Sequence, residues 1–440
     1  MTQTDILVTD VHVRFREVDL QAALTISGGT ISRFTVAEVV VKVHDQAGTR
    51  AAGYGETVLS VPWAWPRSEL TVDARDGVLR ALVDTYSQRA LALEAADPIA
   101  MWRCLVADLD EVRSAAVHGE DVPRLGVLLA VGAVDNALHD AWANAAGRSV
   151  FDMYTAEHLR DDLASFGLPG IYAGEGIADE PSVTLPVQHL VGISDPLEPN
   201  HESHSLADWI GQDGIDRIKI KVSGAEPTED ARRISDVYRA ARACGVEPRM
   251  AVDANEGYAT PRAALAMFES LLAADAEAAA AVDYLEQPTP RGAPADPVQM
   301  RELSSRIPTL LDEGFTSLAR LPKLQSEGWS GVVVKAGKGQ TPAVVASAVA
   351  RRLGLWVVVQ DLTATGHAFL HSARLAGSLR TSIPQLEYNS RQYAPTGNDD
   401  LRRRHPQIAE VSDGAVSMAG LDGAGLYGME GSVPHEHARG

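Results

Sequence analysis

Residues 217–255 read RIKIKVSGAEPTEDARRISDVYRAARACGVEPRMAVDAN, which is a strand-like run, a helical stretch and a second strand-like run. The first run alternates apolar residues with lysines, and the second is apolar until Asp253 and Asn255. The stretch between them repeats apolar residues at helical spacing. Strand, helix and strand in this order are typical of parallel strands joined by a crossover helix. The stretch therefore predicts an α/β protein with a parallel sheet.

The same pattern continues on both sides of this unit. Helical stretches separate eight strand-like runs, which are LPVQHLVGI, RIKIKV, RMAVDAN, AVDYLEQP, IPTLLDEG, GVVVKAG, LWVVVQD and IPQLEYN. Eight strands that alternate with helices predict a (β/α)-barrel, a TIM barrel in its regular form. A doubly wound open sheet has similar periods, so spacing alone leaves both topologies open.

The rest of the chain divides around this barrel. Three strand-like runs, at 5–18, 34–45 and 50–57, precede a helical stretch with three expected helices, broken near Pro98 and Pro123. The predicted division is an α+β domain at 1–150, a linker or long loop at 151–184, the barrel at 185–395, and a C-terminal segment at 396–440 that packs on the first domain.

Composition narrows the class of partner. The formal net charge of −20 argues against nucleic acid and anionic membranes as main partners. The first residues lack a basic region followed by an apolar run, and no apolar stretch approaches the roughly 18 residues of a membrane span. Cys104 and Cys244 stand far apart and suggest neither a disulfide framework nor a zinc site. We therefore expect a cytoplasmic protein.

Lysine is scarce and unevenly placed. Six of the 39 basic residues are lysines, and four of the six lie in RIKIKV and VVVKAGK. These four are Lys219, Lys221, Lys335 and Lys338. A lysine that is desolvated or lies beside other cations can lose its proton near neutral pH, whereas arginine cannot. The four are candidates for acid/base catalysis, with residual surface lysines as the alternative.

Acidic residues end the strands between these two runs. Asp253, Glu286 and Asp312 each follow an apolar run, with Asn255 and Glu313 close by. Active sites of barrels lie at the carboxyl ends of the strands, so these side chains are expected to meet. Three carboxylates without His or Cys form an all-oxygen site of the kind that Mg²⁺ prefers. Helix capping, the alternative, explains one such acid better than three on consecutive strands.

This set of residues fits one kind of reaction. Removal of the proton next to a carboxylate places a second negative charge on that group and gives an ene-diolate. A divalent cation stabilises this charge, and a lysine accepts the proton. Lysines on opposite sides of the barrel would each serve one face of the planar intermediate.

Six motifs occur in the order of a known family. AVDNALHDAWANAAGRSVFDMY precedes RIKIKV, VDANEGY, LEQP, LLDEG and VVVKAGK. With these motifs the chain resembles the enolase superfamily, and within it the mandelate racemase/muconate lactonising enzyme family, over nearly its whole length. The resemblance implies a modified TIM barrel with an N-terminal α+β capping domain that the C-terminal segment completes.

The resemblance also implies a role for each site residue. It implies Lys221 and Lys335 as the two acid/base catalysts, with Lys219 near the substrate carboxylate. It implies Mg²⁺ as the cofactor, bound by Asp253, Glu286 and Asp312, with Asn255 and Glu313 in support. Glu313 in place of Asp312 is the alternative for the third ligand.

Strands six to eight refine the resemblance. Lys335 on the sixth strand is similar to the muconate lactonising subgroup, whereas the mandelate racemase subgroup has a His on the seventh strand. His367 and His371 do not fit that position. The eighth strand carries Glu387 and Asn389 where dipeptide epimerases of the family have Asp-x-Asp, and this departure argues against a dipeptide substrate.

Two loops of the first domain are expected to cover the barrel mouth. They are TISGGTIS (25–32) and a loop at 58–68 whose Trp63 and Trp65 would exclude water and contact the substrate. The alternative is that both tryptophans pack between the domains. We expect Lys338 outside the metal ligands, at the rim, where it meets an anionic substrate.

The expected activity is isomerisation of a small-molecule carboxylate by a homo-oligomeric enzyme. Racemisation, epimerisation and cycloisomerisation all proceed through the ene-diolate. An acid dehydratase is the alternative, because the same intermediate can expel a leaving group. A non-catalytic binding protein is a third reading, against which the complete set of lysines and acids argues.

Overall fold

The computed structural model describes residues 2–26, 29–200, 203–292 and 296–429. Part of the predicted loop at 25–32, namely residues 27 and 28, lies outside the described residues. Residues 430–440 of the predicted C-terminal segment also lie outside them.

The first domain begins with a three-stranded antiparallel sheet. Its strands are β1 (Ile6–Ile26), β2 (Gly29–Asp45) and β3 (Arg50–Leu59), in that order. Strands are therefore found where the sequence predicts them, but β1 and β2 extend further toward each other. Apolar side chains at Leu24, Ile26 and Ile31 explain the extension, because all three are buried although they lie beyond the predicted strands.

Five helices follow this sheet. They are α1 (Val61–Ala64), α2 (Val72–Leu91), α3 (Pro98–Leu105), α4 (Leu109–Ala115) and α5 (Arg124–Ala146). The middle one of the three predicted helices is thus two short helices. Pro98 and Pro123 mark helix starts, where the missing N–H of proline costs nothing.

The long helix α5 packs closely on β3. A Cβ atom added at Gly53 would lie 2.1 Å from the backbone nitrogen of Ala141, and one at Gly55 would lie 2.0 Å from the carbonyl oxygen of Ala133. Only glycine permits this approach. The contact fixes the sheet of the first domain against the helix that leads toward the barrel.

Eight parallel strands form the second unit. They are β4 (Thr184–Val191), β5 (Arg217–Lys221), β6 (Arg249–Asp253), β7 (Val282–Glu286), β8 (Thr309–Leu311), β9 (Gly331–Lys335), β10 (Trp356–Gln360) and β11 (Leu386–Glu387). Their spatial order is β11-β4-β5-β6-β7-β8-β9-β10. Strands β4 to β10 are neighbours in chain order, and the last strand, β11, pairs with the first, β4. The doubly wound alternative is therefore wrong, and the barrel is confirmed.

Helices cover the outside of the barrel. They are α6 (Leu206–Asp213), α7 (Pro227–Ala243), α8 (Pro261–Ala274), α9 (Ala276–Ala280), α10 (Pro297–Ser304), α11 (Leu324–Glu327), α12 (Gln340–Leu353) and α13 (Gly366–Ser378). The barrel interior below the strand ends is filled by a buried apolar layer of Ala251, Tyr284, Leu310, Val333 and Val358. Polar side chains therefore face the interior mainly near the carboxyl ends of the strands.

The C-terminal segment returns to the first domain. Helix α14 (Ser390–Tyr393) precedes this segment, which contains α15 (Asp399–Arg404), α16 (Pro406–Ala409) and β12 (Ala415–Ser417). Strand β12 pairs antiparallel with β4. Leu426 N then donates to Asp140 Oδ1 at 2.7 Å, and Tyr427 Oη donates to Tyr54 O at 3.1 Å. These bonds complete the capping unit, as expected. The boundaries at 150, 184 and 395 stay predictions.

Candidate active site

Strand register brings the first three site residues side by side. Lys221 on β5 is the partner of Asp253 on β6, and Asp253 is the partner of Glu286 on β7. All three end their strands at the same edge of the barrel, and all three are buried. The alternation of side chains along β5 directs Lys219 into the same interior.

The β5 lysines form one wall of the site. Lys219 Nζ lies 3.1 Å from Asp253 Oδ2 and 2.9 Å from Glu286 Oε2. Lys221 Nζ donates to Asp253 Oδ2 and, at 2.7 Å, to Asn255 Oδ1. Each ammonium group therefore contacts carboxylates that the sequence predicts as metal ligands.

The β9 lysines form the opposite wall. Lys335 Nζ lies 3.0 Å from Asp312 Oδ2 and 3.8 Å from Glu286 Oε1. Lys338 Nζ lies 3.0 Å from Asp312 Oδ1 and donates to Asp312 O at 2.6 Å. The carboxylates thus lie between two pairs of lysines, one pair from each side of the barrel.

The expected position of Lys338 at the rim is wrong. A single 3₁₀ turn at 336–338 follows β9 and folds the chain back beside Lys335. Lys338 is only 2% exposed, and its Nζ lies 5.6 Å from the ring centroid of Trp63 and 5.8 Å from that of Phe315. A three-residue spacing in a turn, unlike in a strand, returns the side chain to the same face.

The surroundings of the lysines decide their pKa values. Burial lowers the pKa of Lys219, but the negative charges of Glu286, Glu387 and Asp253 outweigh burial and hold that pKa well above its ordinary value. Burial likewise lowers the pKa of Lys335, but the negative charge of Asp312 outweighs burial, so that this pKa is also raised. At these two residues the neighbouring carboxylates therefore act against the lowered lysine pKa that the sequence predicts. Both stay protonated while the neighbouring carboxylates are charged.

Lys338 behaves differently from its neighbour. Burial lowers its pKa, and the nearby charge of Asp312 offsets this effect only in part. A second ammonium group at Lys335 adds to the lowering. The two lysines of the β9 wall therefore differ in how readily each one loses a proton.

The carboxylates differ as well. Burial raises the pKa of Asp253, but Lys221 and Lys219 overcome it and bring that pKa to about 2. For Glu286, burial and the charge of Asp253 together hold the pKa well above its ordinary value. Burial and the charge of Asp312 raise the pKa of Glu313 to about 7. Burial and neighbouring carboxylates therefore disfavour the charged forms of Glu286 and Glu313, whereas lysines stabilise the charged form of Asp253.

The donor set of the site is the test of whether a metal fits. Within the described ranges, no three acidic, imidazole or thiol side chains surround one point closely enough to enclose an ion as they stand. Ammonium groups separate the carboxylates instead. Yet Glu313 Oε2 is buried and accepts no hydrogen bond from any described residue. Four buried carboxylates with an unsatisfied oxygen are the donor set of a hard divalent cation, so Asp253, Glu286, Asp312 and Glu313 fit Mg²⁺.

The capping domain contributes Trp63 to the site. Its Nε1 donates to Glu313 Oε1 at 3.0 Å, and Asn255 Nδ2 donates to the same oxygen at 2.9 Å. The Trp63 ring centroid lies 5.1 Å from Lys335 Nζ. Trp65 is 1% exposed and packs in the core, away from these groups. The two tryptophans of the predicted lid loop are thus separated, one toward the site and one toward the core.

A small cleft with a free volume of about 40 Å³ lies between the capping domain and the strand ends. Its floor is polar and includes Lys219, Lys221 and Lys335. On the capping-domain side the lining is largely apolar, with Leu24, Ile26 and Ile31, whereas the barrel side combines Leu190 and Leu362 with polar residues such as Asp361, Thr363 and Asn389. A carboxylate bound at the floor would therefore leave the rest of the molecule against aliphatic side chains.

Strand eight brings Glu387 and Asn389 to the cleft. Glu387 Oε1 lies 3.5 Å from Lys219 Nζ and accepts from Asn389 Nδ2 at 2.9 Å. Glu387 Oε2 accepts from the backbone nitrogen of Asp361 at 2.7 Å, which joins β11 to the end of β10. Both oxygens of Glu387 are therefore already engaged.

Several supporting residues were missed in the sequence. Gln360 Oε1 accepts from Lys219 Nζ at 3.2 Å, and the Gln360 amide in turn bonds to Gln188 and Tyr284. Gln287 Oε1 accepts from the backbone nitrogens of Asp312 and Gly314. Gln360 ends the seventh strand, so strand-end position could have indicated it. Gln287 stands next to Glu286 in LEQP, where only its partners show its role.

The barrel and its mouth carry the match to a known family. Residues 203–427 match the family described as enolase C-terminal domain-like, which is more than half of the chain. The chain belongs to this family. The predicted membership of the enolase superfamily is thereby confirmed, together with the mandelate racemase/muconate lactonising group, and the chain is an enzyme of that superfamily.

Individual relatives of this enolase-like chain are distant. The L-Ala-D/L-Glu epimerase of Bacillus subtilis (strain 168) is 21% identical over 400 residues, which cover 90% of each chain. A dipeptide epimerase from Enterococcus faecalis V583, complexed with Mg and L-Leu-L-Tyr, superposes with a TM-score of 0.64 at 17% identity, covering 96% of this chain and 99% of that one. An N-succinyl Arg/Lys racemase from Bacillus cereus ATCC 14579 superposes with a TM-score of 0.63 at 19% identity, covering 96% of this chain and 95% of that one. At such identities the likeness shows the fold.

Proposed function

We propose that the protein racemises or epimerises a small carboxylic acid by moving the proton next to the carboxylate. The observation that carries this proposal is the pair of lysine walls. Lys221 and Lys335 come from β5 and β9, and the carboxylates of β6, β7 and β8 lie between them. A planar intermediate bound between two lysines can lose a proton to one and gain a proton from the other.

The lysines of this chain have separable roles in the proposal. Lys219 Nζ lies beside Asp253 and Glu286 at the floor of the cleft, where its ammonium group attracts the substrate carboxylate and the charge that develops there. Lys221 Nζ takes the proton from one face, and Lys335 Nζ returns a proton to the opposite face. The reverse reaction exchanges these two roles. Trp63 covers Lys335 and limits the access of water to that face.

We propose Asp253, Glu286 and Asp312 as the residues that hold Mg²⁺, with Glu313 beside them. When bound, the cation supplies positive charge that stabilises the ene-diolate and offsets the carboxylates that now raise the lysine pKa values. The support is the set of buried carboxylates, in which burial and the charge of Asp253 raise the pKa of Glu286, and the unsatisfied Glu313 Oε2. A relative crystallised with Mg adds to this support.

The cleft narrows the proposed substrate class. Its aliphatic roof favours an apolar group on the substrate, because an unpaired charge there would be desolvated. Each oxygen of Glu387 already accepts a hydrogen bond, and Asn389 offers no second carboxylate beside it, which disfavours the free ammonium group of a dipeptide at strand eight. We therefore propose an acid whose nitrogen, if present, is neutral, as in an N-acylated amino acid.

The remaining predictions stay part of the proposal. The sixth-strand position of Lys335 favours the muconate lactonising subgroup. No helix among the described residues is long and apolar enough to cross a membrane, and the net charge of −20 disfavours nucleic acid. We propose a cytoplasmic enzyme that acts as a homo-oligomer on a small molecule.

Proton exchange in heavy water tests the function directly. N-acetyl-leucine, N-acetyl-glutamate and L-Leu-L-Tyr are incubated with the protein and MgCl₂ in D₂O, and the α-deuterium content and optical rotation are measured. The proposal predicts deuterium uptake and racemisation that require Mg²⁺, with N-acetyl-leucine preferred. Deuterium uptake without stereochemical change would favour cycloisomerase or dehydratase chemistry. No uptake by any acid would contradict the proposal.

A further inference from the structure

Arg291 connects the barrel to the loop that carries Trp63. It lies five residues beyond the end of β7, and its Nη2 donates to the carbonyl oxygen of Trp63 at 2.9 Å. Its Nη1 donates to the carbonyl oxygen of Ala64 at 3.3 Å. Glu256, from the loop after β6, accepts from Arg291 Nη2 at 2.6 Å and from Arg291 Nε at 2.9 Å. One guanidinium group therefore joins two barrel loops to the capping domain.

The helix that carries Trp63 needs outside support. Helix α1 has only four residues, which is too few for a stable helix by itself, and Ser60 makes no side-chain cap at its start. The last carbonyl groups of any helix lack partners within the helix. Arg291 supplies donors to the carbonyls of Trp63 and Ala64, and its positive charge suits a helix carboxyl end.

Backbone conformation on the barrel side fits a functional contact. Asn255 and Glu256 both have positive φ, at 40° and 69°, in the left-handed region that side chains other than glycine avoid. Such conformations cost about 1–3 kcal/mol each and persist where the surroundings enforce them. Here Glu256 holds Arg291, and Asn255 shares the Glu313 Oε1 acceptor with Trp63. Both strained residues thus contact the partners of Trp63.

We propose that Arg291 is a positioning residue that holds the Trp63 ring over Lys335. The catalytic part of this inference rests on the proposed function, whereas the structural part does not. Trp63 lies 5.1 Å from Lys335 Nζ, so a loose α1 would uncover this lysine to water. Arg291 itself touches neither the lysines nor the proposed metal ligands through any hydrogen bond of the described residues.

A double-mutant cycle separates this role from a direct effect of the Arg291 charge. The variants are Arg291→Met, Trp63→Ala and the double variant, and the assay is α-proton exchange of N-acetyl-leucine in D₂O. We expect Arg291→Met to lower kcat by about 10- to 100-fold with KM changed less. In the Trp63→Ala background, where no ring is left to hold over Lys335, the same substitution should change kcat less than about twofold. An equal loss in both backgrounds would overturn the proposal.

A fluorescence measurement decides the structural part without any substrate. The Trp63 contribution is obtained by subtracting the emission of the matching Trp63→Phe protein, and its quenching by acrylamide is measured. We expect Arg291→Met to raise the quenching constant severalfold. Arg291→Lys should behave like Arg291→Met, because an ammonium group cannot bind two carbonyls and a carboxylate together. Wild-type quenching in Arg291→Met would overturn the proposal, even if no acid proved to be a substrate.

The matched control is Arg233→Met. Arg233 also binds two backbone carbonyls, of Gly192 at 3.0 Å and Asp195 at 2.7 Å, but both belong to one barrel loop. Its loss is expected to lower Tm by an amount similar to Arg291→Met while Trp63 quenching stays unchanged. Equal quenching changes in the two variants would show general loosening and would contradict a specific role for Arg291.

Discussion

Two groups of buried carboxylates differ in what they face. At the barrel mouth, Asp253 and Asp312 lie within ion-pair distance of lysine ammonium groups. On helix α5, Asp140 accepts from neutral donors, which are the backbone nitrogens of Tyr54 at 2.9 Å and Leu426 at 2.7 Å and the amide of Asn144. All three aspartates are fully buried.

The pKa values follow this difference. Lysines bring the pKa of Asp253 to about 2 against the effect of burial. Burial raises the pKa of Asp140 to about 7, because its neutral donors offset burial only in part. Burial alone therefore does not mark a catalytic acid. Asp253 and Asp312, which face ammonium groups, belong to the proposed site. Asp140, which faces backbone N–H groups, joins the C-terminal segment to the capping domain.

The largest expected effect separates the two groups by activity. Asp312→Asn should lower the α-exchange rate by at least about 100-fold, because it removes a proposed ligand and leaves two lysines without their main partner. Breaking such a buried pair also costs about 3–5 kcal/mol of unfolding free energy. Asp140→Asn, the matched control, should lower stability while the folded enzyme keeps its rate. The measurements are urea unfolding and D₂O exchange. Equal rate losses in both variants would contradict the claim that Asp312 serves catalysis and Asp140 serves only stability.

Within the barrel group, Lys219 provides the next test. Lys219→Met should lower kcat/KM by about 100-fold, because the charge that faces the substrate carboxylate is lost. Lys338→Met should act more weakly, since Lys338 contacts Asp312 and lies behind the Trp63 ring. Kinetics with N-acetyl-leucine distinguish the two. A larger loss in Lys338→Met than in Lys219→Met would reverse the roles of the two lysines.

The apolar roof gives a smaller effect. Ile31→Glu should lower kcat/KM for N-acetyl-leucine by about 10- to 100-fold, because the carboxylate added in the cleft is poorly solvated and repels an anionic substrate. Ile31→Val, the control, should change it less than about threefold. The ratio of N-acetyl-leucine to N-acetyl-glutamine turnover should fall in Ile31→Glu. An unchanged ratio would mean that the roof does not contact the substrate.

The smallest effect concerns the pH dependence that Asp140 of the capping domain gives to stability. The pKa of Asp140 in the folded protein, about 7, lies above the ordinary value of about 4 for an unfolded chain. The folded state therefore binds more protons in this window, so its stability falls as the pH rises from about 4 to about 7. The fall is at most about 1.4 kcal/mol per pH unit. Urea unfolding should show a shallower slope in Asp140→Asn, and an identical slope would contradict the assignment.

Much of this architecture could be predicted from the sequence. Apolar runs that end in Lys221, Asp253, Glu286 and Lys335 revealed the strands and their order, because alternation and spacing are local properties. The same local patterns misplaced Lys338. Its position depends on a single turn after β9, and three-residue spacing is ambiguous between a strand and a turn.

Other features depend on contacts between distant parts of the chain. Arg291 and Glu256 stand among many loop residues of the same types, and only their contact with the Trp63 carbonyl distinguishes them. The raised pKa of Lys335 likewise arises from Asp312 on a neighbouring strand. Sequence patterns identified which residues meet at the barrel mouth. The direction of each pKa shift could not be predicted from them, because it depends on the distances between these residues.

Single-lysine variants test the central claim most directly. Lys221→Ala and Lys335→Ala are each incubated in D₂O with MgCl₂ and, separately, the two enantiomers of N-acetyl-leucine. The account predicts that neither variant racemises, and that each exchanges the α-proton of one enantiomer only, with opposite choice in the two variants. Exchange of the same enantiomer by both variants, or full racemisation by either, would contradict two lysines acting on opposite faces.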